Sequence, residues 1–383
     1  MSHLKAFDKI NELKETYFDI WEKVCDIESP TDYKPGVDAV GRFFVELAKE
    51  RGWKVEICNQ EVSGDVVCIT MNSDVDKKPL CLSGHIDTVH PVGSFGEKPV
   101  HRDHEKIYGP GVTDCKGGVV SGFLAMEALH QCGFKGRPVQ MLLQTDEETS
   151  SRGSNKSTIN YICQKAIEGE AFLNLESSAV GRVCTSRKGV LTYKFNVDGI
   201  EGHSSRCVTE GASAIADAAY KIIELEKLKD DDGITCICGI VNGGTATNTI
   251  PGNCTFLANF RFATKEQYEW IESFVKKLSE TVHVQGCKCT YQILGQRPAM
   301  EEQERNMMLL EKVNKIFNQT GLIELTPRKL RGGSDAANVT EYGATCLDNL
   351  GSRGGCSHTT NEFAWLESMP EAARRIVAIA YYL

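Results

Sequence analysis

The sequence predicts an α/β protein in which a mostly parallel sheet with helices on both faces carries an inserted, ferredoxin-like α+β domain. Three observations lead there. Strand-like and helical segments alternate through the first 181 residues. The order changes to β-α-β-β-α-β between 182 and 295. The earlier style then returns for the rest of the 383-residue chain.

Taken in order, residues 4–27 place apolar side chains at helical spacing, and GVDAVGRFFVELAKERG (36–52) does the same up to Gly52. WKVEICN (53–59), VVCITM (66–71) and PLCLSGH (79–85) read as strands. GGVVSGFLAMEALHQCG (117–133) reads as a helix ended by Gly133. PVQMLLQT (138–145) is an almost unbroken apolar run, as expected of a strand buried on both faces, and EAFLNLE (170–176) resembles it.

In the middle of the chain, GVLTYKFNVDG (189–199) alternates as a strand and 211–227 is helical. Strands follow at 234–241 and 253–262, then a helix at 265–282 and a strand at 288–294. Beyond that lie a helix at 302–319, a Gly-rich turn RGGSDAAN (331–338), a strand at 344–348 and a helix at 362–383. The expected division is therefore 1–181 with 296–383 as one domain, and 182–295 as the insertion.

Composition narrows the function. The chain is 41% hydrophobic and 25% charged, with a net charge of −9. It has no basic block interleaved with aromatics, which disfavours nucleic-acid binding. No run reaches the roughly 18 apolar residues of a membrane helix. The N-terminus MSHLKAFDKINELKE lacks the apolar core of a signal peptide, so a cytoplasmic protein is expected. Its 16 cysteines are then expected to be thiols. The pairs Cys236/Cys238 and Cys287/Cys289 read as small hydrophobes on strand faces.

The chemistry is concentrated in five islands: SGHIDT (83–88), GPGVTDCKGG (109–118), TDEET (145–149), NLES (174–177) and SHTTNE (357–362). Four lie where a strand-like run gives way to a loop or helix, and in open α/β sheets such ends converge on one crevice. Carboxylates mixed with imidazoles suit zinc, cobalt or manganese. Two metals about 3.5–4 Å apart need a bridging carboxylate and terminal ligands on each side. Asp114 is the natural bridge. His85 would bind one metal and His358 the other, with Glu148 and Glu176 completing the sets. Asp87, two residues after His85, is placed to orient that imidazole. Glu147 remains to activate a water and protonate the leaving nitrogen. His90, His101, His104, His130 and His283 carry no matching motif and are expected on the surface or in loops. Glu362 is expected to cap the last helix.

These motifs, in this order, resemble the dizinc peptidase and amidohydrolase family of glutamate carboxypeptidases, aminoacylases, acetylornithine deacetylase and succinyl-diaminopimelate desuccinylase. The resemblance runs from about residue 15 to 383. It implies a zinc-peptidase-like catalytic domain holding two divalent metals, most simply zinc, with cobalt or manganese also suited. It implies the roles given above to His85, Asp87, Asp114, Glu147, Glu148, Glu176 and His358. Glu176 at the variable ligand position resembles the carboxypeptidase and deacylase branches, where several amino-, di- and tripeptidases carry aspartate. ATNTIPG (246–252), FRFATKEQYE (260–269) and RGGSDAA (331–337) are further similar to bacterial glutamate carboxypeptidase.

The implied function is cleavage of an amide or peptide bond beside a free carboxylate. Deacylation of N-acyl amino acids, di- or tripeptide cleavage and a non-catalytic metal-binding role are the alternatives. The resemblance also implies that the insertion is a lid and a homodimerisation domain. There IEGHSS (200–205) resembles the lid motif whose histidine, here His203, polarises the scissile carbonyl in the partner subunit of a dimer. Asn248, Arg261, Gly332 and Gly333, with Ser334 beside them, match substrate-binding positions. The chain departs from many relatives at Cys115, where they carry Met, and at Ser177–Ser178, where Pro-Thr is commoner. A third departure is NEF (361–363) after His358, and all three bear on specificity.

Overall fold

The computed structural model describes residues 3–383, which form two compact units. The first comprises the chain up to Thr185 with Glu302–Lys329 and Asn338–Leu383; the second comprises Ser186–Glu301 with Leu330–Ala337.

The first unit is built on a six-stranded sheet ordered Lys54–Cys58, Val66–Met71, Val139–Gln144, Leu80–His85, Ala171–Asn174 and Cys346–Leu347. The first two junctions are antiparallel and the remaining three parallel. The central strands are buried along their whole length, which explains their continuous apolar sequences. Alternate residues face opposite ways. Val67, Ile69, Leu82, Met141 and Leu173 join a core with helices His3–Asp26, Lys34–Glu50, Lys116–Gln131, Glu304–Thr320 and Ser368–Tyr382. On the other face, the Cys81 thiol reaches the Lys165 carbonyl of helix Ser157–Glu168 at 3.8 Å. Helices thus cover both faces.

Three details depart from expectation. Helix Ser157–Glu168 was not anticipated, although Ile159, Ile162, Cys163 and Ala166 form its buried stripe. Helix Asp335–Tyr342 starts inside the segment read as a turn. The last helix begins at Ser368 rather than 362, because Phe363–Trp365 is a short strand paired antiparallel with Lys106–Tyr108.

The second unit has the β-α-β-β-α-β order. Its four-stranded antiparallel sheet runs Thr235–Gly243, Asn253–Phe262, Gly189–Asp198, Lys288–Arg297. One face packs Leu191, Phe195, Phe256 and Phe260 against Ala218 and Leu225 of helix Ala214–Glu226 and Ile271 and Val275 of helix Lys265–Glu280. Phe195 and Phe256 stack at 4.6 Å. Beneath the first helix lies a buried ion pair, Lys221 to Asp217 at 3.1 Å. Asp217 also accepts from the His283 and Val284 amides at 2.8 and 3.0 Å.

Among the described residues no cysteine forms a disulfide, and Cys236 and Cys287 pack into the second core as small apolar groups. Among the described residues no helix is long and apolar enough to cross a membrane.

Candidate metal centre

Neighbouring strand ends bring the islands of the first unit together. His85 closes strand Leu80–His85; Glu147 and Glu148 follow Val139–Gln144; Glu176 follows Ala171–Asn174; Asp114 precedes helix Lys116–Gln131. Asp114 lies between two imidazoles. Its Oδ1 is 3.0 Å from His85 Nε2, and its Oδ2 is 3.2 Å from His358 Nε2. Glu176 Oε1 approaches His85 Nε2 at 3.7 Å, and Glu148 Oε2 approaches His358 Nε2 at 3.4 Å. One carboxylate thus faces two His–Glu pairs, one through each oxygen.

These spacings suit metal ions. Bonds of about 2.0–2.1 Å at tetrahedral angles set neighbouring donor atoms about 3.3 Å apart, and the four contacts span 3.0 to 3.7 Å. The electrostatics agree. Burial works against a charged His85, yet Cys115, Asp114, Asp87 and Glu176 together hold it well above the usual histidine range. Hydrogen bonds to Asp114 and then Glu148 raise His358 to about 10. Burial lifts Glu148 to about 7, against the pull of His358 and His85. Carboxylates gathered this closely demand positive charge, which protons supply when cations do not.

Asp87 is fully buried and does more than orient one ring. Its backbone carbonyl lies 3.0 Å from His85 Nδ1 and its Oδ1 lies 3.4 Å away. The same Oδ1 accepts from the Glu147 amide at 3.2 Å, while Oδ2 accepts from the Glu148 amide at 3.2 Å and the Thr31 hydroxyl at 2.6 Å. Glu147 itself is buried beside Glu148. Cys115 is buried too, with its thiol donating to the Leu175 carbonyl at 3.3 Å, and it shares a neighbourhood with His85 and Glu176.

One expectation about an individual residue is corrected. Glu362 caps no helix. It is 1% exposed and accepts hydrogen bonds from the Gly111, Thr113 and Asp114 amides. His90 lies in a loop but is buried, with Nε2 3.1 Å from Glu362 Oε2. His101, His104, His130 and His283 are exposed.

The remaining predicted site residues belong to the second unit. A short ladder pairs His203 with Thr249 and brings Asn248 alongside, its carbonyl accepting from the Ser204 amide at 2.8 Å. His203 Nδ1 accepts from the Ser205 amide at 3.3 Å, which in the neutral ring leaves the proton on Nε2. Arg261 lies across the sheet from Val190, and Arg297 flanks Val190 on its other side, so both point to one face. Burial, then the charge of Arg297, lowers the Arg261 pKa. Arg187 donates to the Gly332 and Gly333 carbonyls at 3.0 and 3.2 Å. A Cβ on Gly333 would meet Arg297 Cδ at 2.8 Å, so any larger residue there would push that side chain aside. Arg187 and Arg297 were not singled out from sequence. Strand register groups Arg297 with Arg261 and the Gly332–Gly333 turn holds Arg187, and no local motif encodes either.

Comparison with known proteins yields consistent similarities. A model of peptidase family M20/M25/M40 matches residues 81–382. Carboxypeptidase G2 of Pseudomonas sp. is 24% identical over 367 residues, covering 93% of this chain and 87% of that protein. A succinyl-diaminopimelate desuccinylase of Rickettsia felis is 26% identical over 272 residues, covering 64% and 69%. The crystal structure of aminopeptidase PepT from Bacillus cereus has the same fold, with a TM-score of 0.79 at 19% identity and coverage of 96% and 98%.

Proposed function

The chain belongs to peptidase family M20/M25/M40 and is a metal-dependent hydrolase of amide or peptide bonds; on that premise we propose a two-metal, carboxypeptidase-like exopeptidase that cleaves the bond beside a free carboxylate. The observation that carries the two-metal reading is Asp114, whose oxygens face His85 with Glu176 on one side and His358 with Glu148 on the other. His85, Asp114 and Glu176 would hold one cation; His358, Asp114 and Glu148 would hold the second. Imidazole with carboxylate donors suits zinc first, with cobalt and manganese also accommodated. Bound there, the cations supply Lewis acidity to the scissile carbonyl and acidify the attacking water.

The protein's own groups do the rest. Glu147, its backbone fixed by Asp87, takes a proton from the water and passes it to the leaving nitrogen. Asp87 holds the His85 ring. The Nε2–H of His203 would be the donor required as negative charge grows on the carbonyl oxygen, acting on substrate held by the other copy of a homodimer. Arg261, with Arg297 on the same face and Arg187 holding the Gly332–Gly333 turn, offers guanidinium groups for a substrate carboxylate. Asn248 stands beside His203 as a further polar contact.

The second unit also supports a homodimer. Its edge strand Thr235–Gly243 exposes Ile237, Ile240 and Val241, and an apolar open edge invites pairing with a second copy. A cytoplasmic location accords with cysteines that form no disulfide among the described residues.

The test is a substrate panel on protein loaded separately with zinc, cobalt and manganese, together with metal counting. Small peptides and N-acyl amino acids are compared with counterparts whose free carboxylate is amidated. Two bound metals and hydrolysis that requires the free carboxylate are expected. Equal turnover of amidated and free substrates would remove the carboxypeptidase-like reading. Release of acyl groups alone would favour the deacylase, and release of N-terminal residues alone the di- or tripeptidase.

A further inference from the structure

We propose that Glu362 is a positioning residue that sets Asp114 between the two histidines, so that its loss loosens metal binding more than it loosens the fold. The inference rests on the reading of Asp114 as the shared ligand.

The pairing of Phe363 with Tyr108 delivers Glu362 beneath the loop that carries Asp114. There its carboxylate is fully engaged. Oε1 accepts from the Thr113 amide at 2.9 Å and the Asp114 amide at 3.1 Å. Oε2 accepts from the Gly111 amide at 3.1 Å and faces His90 Nε2 at 3.1 Å. The Glu362 carbonyl accepts from the Gly109 amide at 3.2 Å, and its own amide donates to the Thr359 carbonyl at 3.2 Å. Phe95 meets the His90 ring edge-on at 4.9 Å, which holds the far side of this arrangement.

The consequence is mechanical. Asp114 offers one oxygen to each imidazole, so its backbone must be fixed along two directions at once. Bonds to three amides of the 111–114 loop supply that fixing. The same segment also bears His358, four residues before Glu362, on an exposed turn in the left-handed region (φ 64°). Glu362 therefore ties the shared carboxylate and the more exposed imidazole to one anchor. Partners that orient ligands in this way typically carry about 10–100-fold in metal affinity.

Glutamine at 362 keeps the shape but turns an N–H₂ group toward amide donors, and alanine removes the acceptor altogether. The experiment measures cobalt affinity by chelator competition, the visible cobalt spectrum and the melting of the metal-free protein, for wild type, Glu362→Gln and Glu362→Ala. The expected result is two cobalt ions in wild type and binding weakened about 10–100-fold in the variants. An altered cobalt spectrum and a cooperative metal-free melt close to wild type should accompany it. Should Glu362→Gln fail to fold, His90→Ala carries the comparison, because it removes one of the two partners of Oε2 while leaving the carboxylate in place; weakened cobalt binding is expected there too, and wild-type affinity would overturn the inference.

Wild-type affinity and spectrum in both Glu362 variants would overturn the inference and leave the two-metal reading standing. Loss of affinity that merely follows a collapsed metal-free melt would reduce Glu362 to a fold residue and overturn it as well. Fewer than two ions in wild type would instead strike the two-metal reading itself.

Discussion

The carboxylate of Asp87 accepts a hydrogen bond from the backbone amide of Glu147 at 3.2 Å. The next amide, of Glu148, donates to its other oxygen at the same distance. A residue expected to steer one imidazole thus also fixes the main chain that carries the proposed base and a proposed ligand. Asp87→Asn turns a donor toward one of those amides. We expect kcat/KM to fall about 10–100-fold, with metal retained less tightly. Steady-state kinetics and metal counting after dialysis check this, and an unchanged kcat/KM would dismiss the role.

Glu147→Gln isolates proton transfer. Asp87 holds Glu147 through its main chain, so the substitution leaves that bond intact. Metal stoichiometry should stay at the wild-type value while kcat drops by about 10²–10⁴, the contribution of a positioned acid–base group. Full turnover in this variant would assign the proton to another residue.

The same residues show how far the sequence speaks. His85, Glu147, Glu148 and Glu176 each follow an apolar run, and the continuous burial of those strands makes the runs recognisable. Their convergence follows from a mostly parallel sheet whose strand ends share one edge. Glu362 was not readable in this way. A three-residue strand is too short to show alternation, so 362–383 read as one helix, and its partners are amides some 250 residues earlier. Arg187 and Arg297 were hidden for a similar reason: strand register and a turn 145 residues away bring them into place. Helix Ser157–Glu168, by contrast, carries its apolar stripe of Ile159, Ile162, Cys163 and Ala166 openly in the sequence.

Protons and metals should compete for the centre. In the metal-free protein Asp114 and Glu148 raise His358 to about 10 from the usual 6.5, and burial raises Glu148 to about 7 from the usual 4.5. Both values are raised. The stability that protonated His358 contributes is complete below 6.5 and lost as pH rises through about 10. That of Glu148 is complete below 4.5 and lost through about 7. Bound cations replace those protons, so the melting-temperature gap between metal-loaded and chelator-treated protein should widen from about pH 6 to about pH 9. Scanning fluorimetry across that range gives the answer, and a flat or narrowing gap would contradict it.

The Lys221–Asp217 pair provides a test remote from any chemistry. Both side chains are buried, and Asp217 holds two further amides. Removing one partner strands the other charge, so Asp217→Ala should lower stability by about 3–5 kcal/mol. Replacing both with apolar residues of similar size should recover much of it. Chemical denaturation of the single and double variants decides, and a single variant as stable as wild type would show that the Thr281 carbonyl, to which Lys221 also donates, suffices for the lysine.

Arg261 and Arg297 give the sharpest handle on substrate choice. They flank Val190 on one sheet face, and the charge of Arg297 depresses the Arg261 pKa. Like charges packed this way are relieved by an anion, and a guanidinium grips a carboxylate through two parallel hydrogen bonds. Arg261→Lys keeps the charge but loses the fork, so it should raise KM for free-carboxylate substrates and leave their amidated counterparts unaffected. Arg261→Ala should raise it further, by a factor on the order of 10–100, about 1.5–3 kcal/mol for a hydrogen bond to a charged group. Gly333→Ala should act in the same direction without touching either arginine's chemistry, because the added Cβ would meet Arg297 Cδ at 2.8 Å and force that side chain aside. If all three variants shift free and amidated substrates equally, these arginines serve the sheet and the carboxylate is recognised elsewhere.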